Sequence, residues 1–153
     1  MIIDGIEFRP VRKHSTEVPN YFVSQCAKVY NTKREKYVKP YKVWRGKKEG
    51  SPKCMEFSVI TDQNLFKNCD HKSKRNNGRI ELKIKLHHAV KDAWEPYEDY
   101  LHTLSREELI SLAKESVLID HIDDDPLNNV FENLQYSTPL KNSNHRKKWV
   151  DKG

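Results

Sequence analysis

No apolar run in this chain is long enough to cross a membrane as a helix, and its first residues, Met1-Ile2-Ile3-Asp4, lack the layout of a secretory signal. An intracellular protein with no membrane partner is expected. Cysteine is scarce: Cys26, Cys54 and Cys69 are odd in number and widely spaced, and no CxxC pair occurs. Free thiols in a reducing compartment follow. Cys54, Cys69, His71 and His87 have the atom types of a structural zinc site, but their spacing fits no standard zinc module, so no zinc is expected. No internal repeat is present.

What the chain does have is charge. A third of its 153 residues are charged, and 28 Lys and Arg against 22 Asp and Glu leave a formal net charge of +6 and a pI near 9.1. That balance suits a polyanionic partner. The length allows one or two small domains with a real core. Cations gather at 33–48, 67–79 and 146–148, while acidic residues gather at 95–99 and around 120–132. In the first basic stretch Lys33, Arg34, Lys36, Lys39, Lys42 and Arg45 are interleaved with Tyr37, Tyr41 and Trp44. Aromatic stems can pack or stack there while the charges meet phosphate.

The segments 21–30 and 55–60 have the aromatic and β-branched content of strands. Segment 79–86 alternates, with Ile80, Leu82, Ile84 and Leu86 on one face and Glu81, Lys83 and Lys85 on the other. Asn76-Asn77-Gly78 ahead of it is a turn signal, and 67–77 reads as a polar, basic loop. The expectation is a half-buried antiparallel sheet whose basic side fits a major groove.

The densest chemistry lies at 117–149. Val117, Leu118 and Ile119 suit a short buried strand that ends by delivering Asp120 and His121 together. The Asp- and Asn-rich stretch 122–132 forms a tight loop, and 134–137 returns as a second strand. Thr138 can then cap a helix whose first position is Pro139. That helix runs to about Trp149, and Asn142, His145 and Arg146 share one of its faces. Folded over each other, these elements place Asp120 and the Asn142 carbonyl as oxygen donors for Mg²⁺ or Mn²⁺, which takes few protein ligands. His121, with a pKa near neutrality when unperturbed, is left as the base for a water attacking phosphorus. His145 and Arg146 are possible auxiliaries.

Asp120-His121-Ile122-Asp123, Leu127-Asn128-Asn129, Glu132-Asn133-Leu134, Ser137-Thr138-Pro139 and Asn142 resemble the HNH nuclease motif of phage and intron homing endonucleases in order and spacing. Upstream, Leu86-His87-His88-Ala89-Val90-Lys91-Asp92-Ala93-Trp94 resembles the segment that precedes the motif in those enzymes, and 21–30 resembles their N-terminal YxVSNxGxV module. The resemblance implies a ββα-metal finger, metal binding by Asp120 and Asn142, His121 as general base, and Asn133 completing the catalytic set by bracing the loop. Three departures stand out. Asp124 occupies a usual Gly position, Gln25 and Ala27 replace Asn and Gly, and the connector before Asp120 is lengthened. Ser105-Arg106-Glu107-Glu108 in that connector is a capping-box pattern followed by Leu109, Leu112 and Ala113, which predicts one inserted helix.

The resulting expectation is an α+β chain: a small N-terminal antiparallel β-sheet with helices over 1–94, a helical connector over 95–116, and an HNH ββα-metal nuclease module over 117–153. Its expected function is site-specific, divalent-metal-dependent cleavage of double-stranded DNA to 5′-phosphate and 3′-hydroxyl ends. One site per chain nicks as a monomer, and a double-strand break needs a homodimer or a second event. The resemblance also implies a phage or mobile-intron gene, acting in a bacterial cytoplasm. The expected DNA contacts are Lys33, Arg34, Lys36, Lys39, Lys42, Arg45, Lys83, Lys85 and Lys147. Competing readings are an inactive basic DNA-binding protein on the same fold, and a restriction or nonspecific HNH nuclease.

Overall fold

A computed structural model describes residues 1–44, 52–66, 72–75, 77–114 and 118–137. Mixed sheet and helix, with strands predominating, it opens on a five-stranded antiparallel meander: β1 (Ile2–Ile3), β2 (Ile6–Lys13), β3 (Thr16–Ser24), β4 (Val29–Asn31) and β5 (Lys36–Val38), in that spatial order. Its reversals need left-handed backbone. Asp4 and Gly5 supply it before β2, at φ 50° and 76°, and His14 and Ser15 supply it before β3, at φ 51° and 63°. Such paired positive φ values match the twist of a two-residue hairpin.

A second sheet follows: β6 (Tyr41–Trp44), β7 (Pro52–Asp62), β8 (Lys72–Lys74) and β9 (Arg79–Lys85), ordered β6-β7-β9-β8. The single small sheet expected from sequence is therefore two. Within the stretch read as a loop at 67–77, Lys72–Lys74 pairs with β9 as an edge strand. Its lysines carry no apolar alternation to announce it, and charge of that kind is how an edge avoids further pairing. Segment 21–30 likewise divides, ending β3 at Ser24, turning, and starting β4 at Val29. Asn77 and Gly78 turn into β9 with φ 64° and 71°.

β9 runs straight into helix α1 (Leu86–Trp94). Ile80, Leu82 and Ile84 are buried as the alternation requires, but Leu86 is the first helical residue rather than the last strand residue. The apolar spacing changes there from two to the helical pattern Leu86, Ala89, Val90, Ala93, all of them buried. α1 packs chiefly on β2 and also touches β3, β7 and β9. Val11, Val23, Phe57, Val59 and Leu82 have essentially no exposed surface, and one core cluster joins both sheets, α1 and Leu134.

The connector holds two helices where one was expected: α2 (Tyr97–Leu101) and α3 (Arg106–Lys114). The capping residues of α3 meet, with Glu108 N–H donating to Ser105 Oγ at 3.2 Å and that hydroxyl donating to Glu108 Oε1 at 3.2 Å. Leu109, expected on an apolar face, is 42% exposed. The chain then forms the hairpin β10 (Leu118–His121) and β11 (Leu134–Ser137), paired in register from Leu118–Ser137 to His121–Leu134. Among the described residues no helix is long and apolar enough to cross a membrane.

Candidate active site

Asp120 and His121 emerge together from the end of β10, half-buried, with different neighbours. Asp120 lies across the hairpin from Gln135, whose amide donates to its Oδ2 at 3.1 Å. Among the described residues Asp120 makes no ion pair. His121 turns toward the core, its Nε2 2.8 Å from Asn129 Oδ1 and its ring centroid 4.9 Å from that of His87.

The Asn129 amide decides which imidazole nitrogen is free. Its Nδ2 donates to the carbonyls of Pro126 and Leu127, at 3.4 and 3.3 Å, so its oxygen faces His121. Nε2–H must then donate, leaving the lone pair on Nδ1. Asn129 is 3% exposed, which protects this bond from competing water. The sequence pattern set Asn128 and Asn129 side by side without distinguishing them. Only their different partners separate them.

The loop between the strands is knotted by carboxamides and the carboxylates of Asp123 and Asp125. Asn133 Oδ1 accepts from Asp123 N–H at 3.1 Å, while its Nδ2 donates to Asp123 Oδ1 and the Asn128 carbonyl, both at 2.8 Å. Asn128 Nδ2 donates to Asp123 Oδ2 at 2.7 Å, and Asp125 N–H to Asp123 Oδ1 at 2.8 Å. These donors, the Asn128 amide foremost, hold the Asp123 carboxyl below its usual pKa. Asp124 takes φ 60°, a left-handed conformation that Asp tolerates better than most non-glycine residues.

Residues remote in sequence seat this hairpin. Phe131 N–H donates to the Gln25 carbonyl at 2.8 Å, so the N-terminal turn grips the loop between β10 and β11. That turn forms without the usual glycine: Ala27 adopts φ 66°, and Ser24 Oγ accepts from Lys28 N–H at 3.0 Å. Buried Lys91 lies 4.8 Å from the Phe131 ring and 5.4 Å from the Tyr136 ring, and it pairs with Glu95. Tyr136 Oη donates to the Glu95 carbonyl at 3.0 Å. His87, 8% exposed, packs its ring on His121, and its buried Nδ1 has no hydrogen-bond partner among the described residues. Burial pushes its pKa down to about 2, with the neighbouring His88 and His121 adding to the effect, so the ring is neutral.

Arg45, Val117, Thr138, Pro139, Asn142, His145, Arg146 and Lys147 lie outside the described residues, as do Cys69 and His71. Cys54 is buried on β7. Among the described residues no group of three or more His, Cys, Asp or Glu is arranged to hold a metal. The oxygen donor present is Asp120. A hard carboxylate with an amide N–H on one oxygen and no ion pair fits a Mg²⁺-type ion, which takes only one or two protein groups.

Lys33, Arg34, Lys36, Lys39 and Lys42 are exposed, as is Lys83, while Lys85 is half-buried. The outer face of the second sheet is mixed in sign rather than uniformly basic. Lys85 stands opposite Glu56, Arg79 opposite Asp62, and Glu81 pairs with Arg75.

No protein-family model matches this chain, and no curated protein does. Its fold is similar to a solved structure of the HNH homing endonuclease I-HmuI, described for DNA binding and cleavage, with a TM-score of 0.55. At 19% identity the likeness is one of fold, and it takes in 95% of this chain. The chain spans 60% of the length of that neighbour.

Proposed function

We propose that this protein is a site-specific DNA endonuclease of the HNH homing type, dependent on Mg²⁺ or Mn²⁺. The observation that carries the reading is the His121–Asn129 hydrogen bond, which holds one imidazole nitrogen in a braced loop and leaves the other as acceptor, on the residue that follows Asp120 in the chain. The fold shared with a homing endonuclease supports it. The nuclease module of this reading is 117–153, a ββα-metal finger, served by a DNA-contacting platform over 1–94 through the connector 95–116.

Asp120 and Asn142 would hold the metal. When bound, a divalent ion stabilises charge on the phosphate and the departing 3′ oxygen. His121 Nδ1 takes the proton of a water as its oxygen bonds to phosphorus, and Nε2–H stays on Asn129 so that the ring keeps its direction. The P–O3′ bond breaks, the 3′ oxygen is protonated by solvent, and the ends are a 5′-phosphate and a 3′-hydroxyl. Asn133 keeps the loop closed throughout. Lys33, Arg34, Lys36, Lys39, Lys42, Arg45, Lys83, Lys85 and Lys147 hold the duplex through its phosphates, with His145 and Arg146 as auxiliaries at the cut.

Supercoiled plasmid carrying DNA from around the protein's own gene is the test. With Mg²⁺ it should be nicked or linearised at a mapped position, and His121→Ala should cut about 10²–10⁴-fold more slowly at undiminished DNA affinity. Intact plasmid with retained binding would leave a DNA-binding protein without nuclease activity.

A further inference from the structure

Between the two sheets lies a cleft of about 470 Å³, walled by Tyr21 and Asn31 of the first sheet and by Ile60 and Thr61 of the second. Ile60 N–H donates to Tyr21 Oη at 3.1 Å, fastening the sheets across its floor. Three cations line it, Lys33, Arg34 and Arg79, against the single carboxylate of Asp62. None of the three is in an ion pair among the described residues, and all are exposed.

The cations stand on rigid supports. Asn31, 7% exposed, accepts the backbone N–H groups of Lys33 and Arg34 on its Oδ1, at 3.0 and 3.1 Å, which sets the turn that carries both. Arg79 opens β9, opposite Asp62 at the end of β7. Asp62 Oδ1 is engaged by Asn64 N–H at 2.8 Å. The volume falls within the range of small-ligand sites, but the lining is largely polar and net positive, which favours a phosphate with its sugar over an apolar molecule.

We propose that this cleft seats a backbone phosphate of the DNA at a distance from the cut; the inference rests on the endonuclease reading and adds to it a second anchor on the duplex. Its reach follows from β9, whose seven residues separate the cleft from α1 and the His87–His121 contact. At roughly 3.3 Å per residue that is roughly 20 Å, or about six nucleotides along one strand at roughly 3.4 Å each. A chain held at both points measures its position along the helix before it cuts.

The double variant Arg34→Ala/Arg79→Ala, placed in a His121→Ala background so that nothing is cleaved, tests this by fluorescence anisotropy. The probe is a random-sequence duplex of about 30 base pairs, and the slope of log affinity against log salt should become shallower by about 0.9, the loss of one neutralised phosphate. Arg106→Ala on α3 is the control and should leave the slope alone, while an unchanged Tm confirms that the variants are folded. An unchanged slope in the double variant overturns the cleft as a phosphate seat, whatever the plasmid assay shows. A shallower slope from a protein that leaves plasmid intact keeps the seat and removes the cutting. Titrating the full chain with inorganic phosphate and with the duplex, followed by ¹H–¹⁵N spectra, separates the sources. Shifts at Lys33, Arg34 and Arg79 with phosphate but not with duplex would overturn the assignment to DNA.

Discussion

In the two sheets position is held by apolar burial: Phe57, Val59, Leu82 and Val23 are sealed from water, and α1 is laid over them. In the loop joining β10 to β11 it is held by Asn133, Asp123, Asn128 and Asn129, whose amides and carboxylate satisfy each other and the backbone. Burial is strong but non-directional, so it stacks sheets without aiming any one atom. Hydrogen bonds contribute less each but fix direction, which a general base needs. The two means meet at His121, which takes its direction from Asn129 and its backing from the ring of His87.

Four substitutions break or sharpen that contrast, beginning with the largest effect. Phe57→Ala removes a fully buried ring and should cost about 3–5 kcal/mol, read as a fall in denaturation midpoint. Its cutting rate per folded molecule should hardly change, and a selective loss of rate would place the core in the site. Asn129→Ala is the converse. Freed from its carbonyl anchor, the imidazole should cut about 10- to 100-fold more slowly, in the manner of outer-shell residues that orient a catalytic group, while Tm moves little. A rate equal to wild type would separate Asn129 from catalysis.

The buried His87 gives a pH test. Its folded pKa lies below its unfolded value of 6.5, so below that value the unfolded chain binds a proton that the folded chain refuses. Stability is present above pH 6.5 and declines as pH falls toward 2, with a slope from this group approaching about 1.4 kcal/mol per pH unit. The urea midpoint of wild type should therefore fall relative to that of His87→Leu as pH drops from neutral to mildly acid. Parallel curves would show that His87 is charged in the fold. Smallest is Ala27→Gly, which relieves a left-handed alanine at φ 66° and should raise stability by about 1 kcal/mol, visible as a higher Tm.

Much of the local architecture was legible in advance. The alternation through Ile80, Leu82 and Ile84, the Ser105–Glu108 cap and the return strand at 134–137 all follow rules that act over a few residues, and each appears where those rules put it. That Asn133 braces the loop was implied by the family resemblance, while its partner Asp123 is seen only in the fold. Other features were not legible. β8 carries only Lys and Ser, α2 has no distinctive cap, and the mixed sign of the outer sheet face depends on register, which the pattern of one strand does not contain.

Local preference, written in side-chain alternation, turn residues and capping groups, was thus enough to specify short elements and a polar loop bearing Asp120 and His121. Tertiary packing decided the rest. It made two sheets where one was expected, brought His87 onto His121 across 34 positions, joined the Gln25 turn to Phe131, and opened a cleft where Arg34 and Arg79 converge. Apolar faces can be stacked in several ways with similar burial, and only the assembled core selects among them. The sequence therefore named the residues of this candidate site, while the fold chose which side chains hold them.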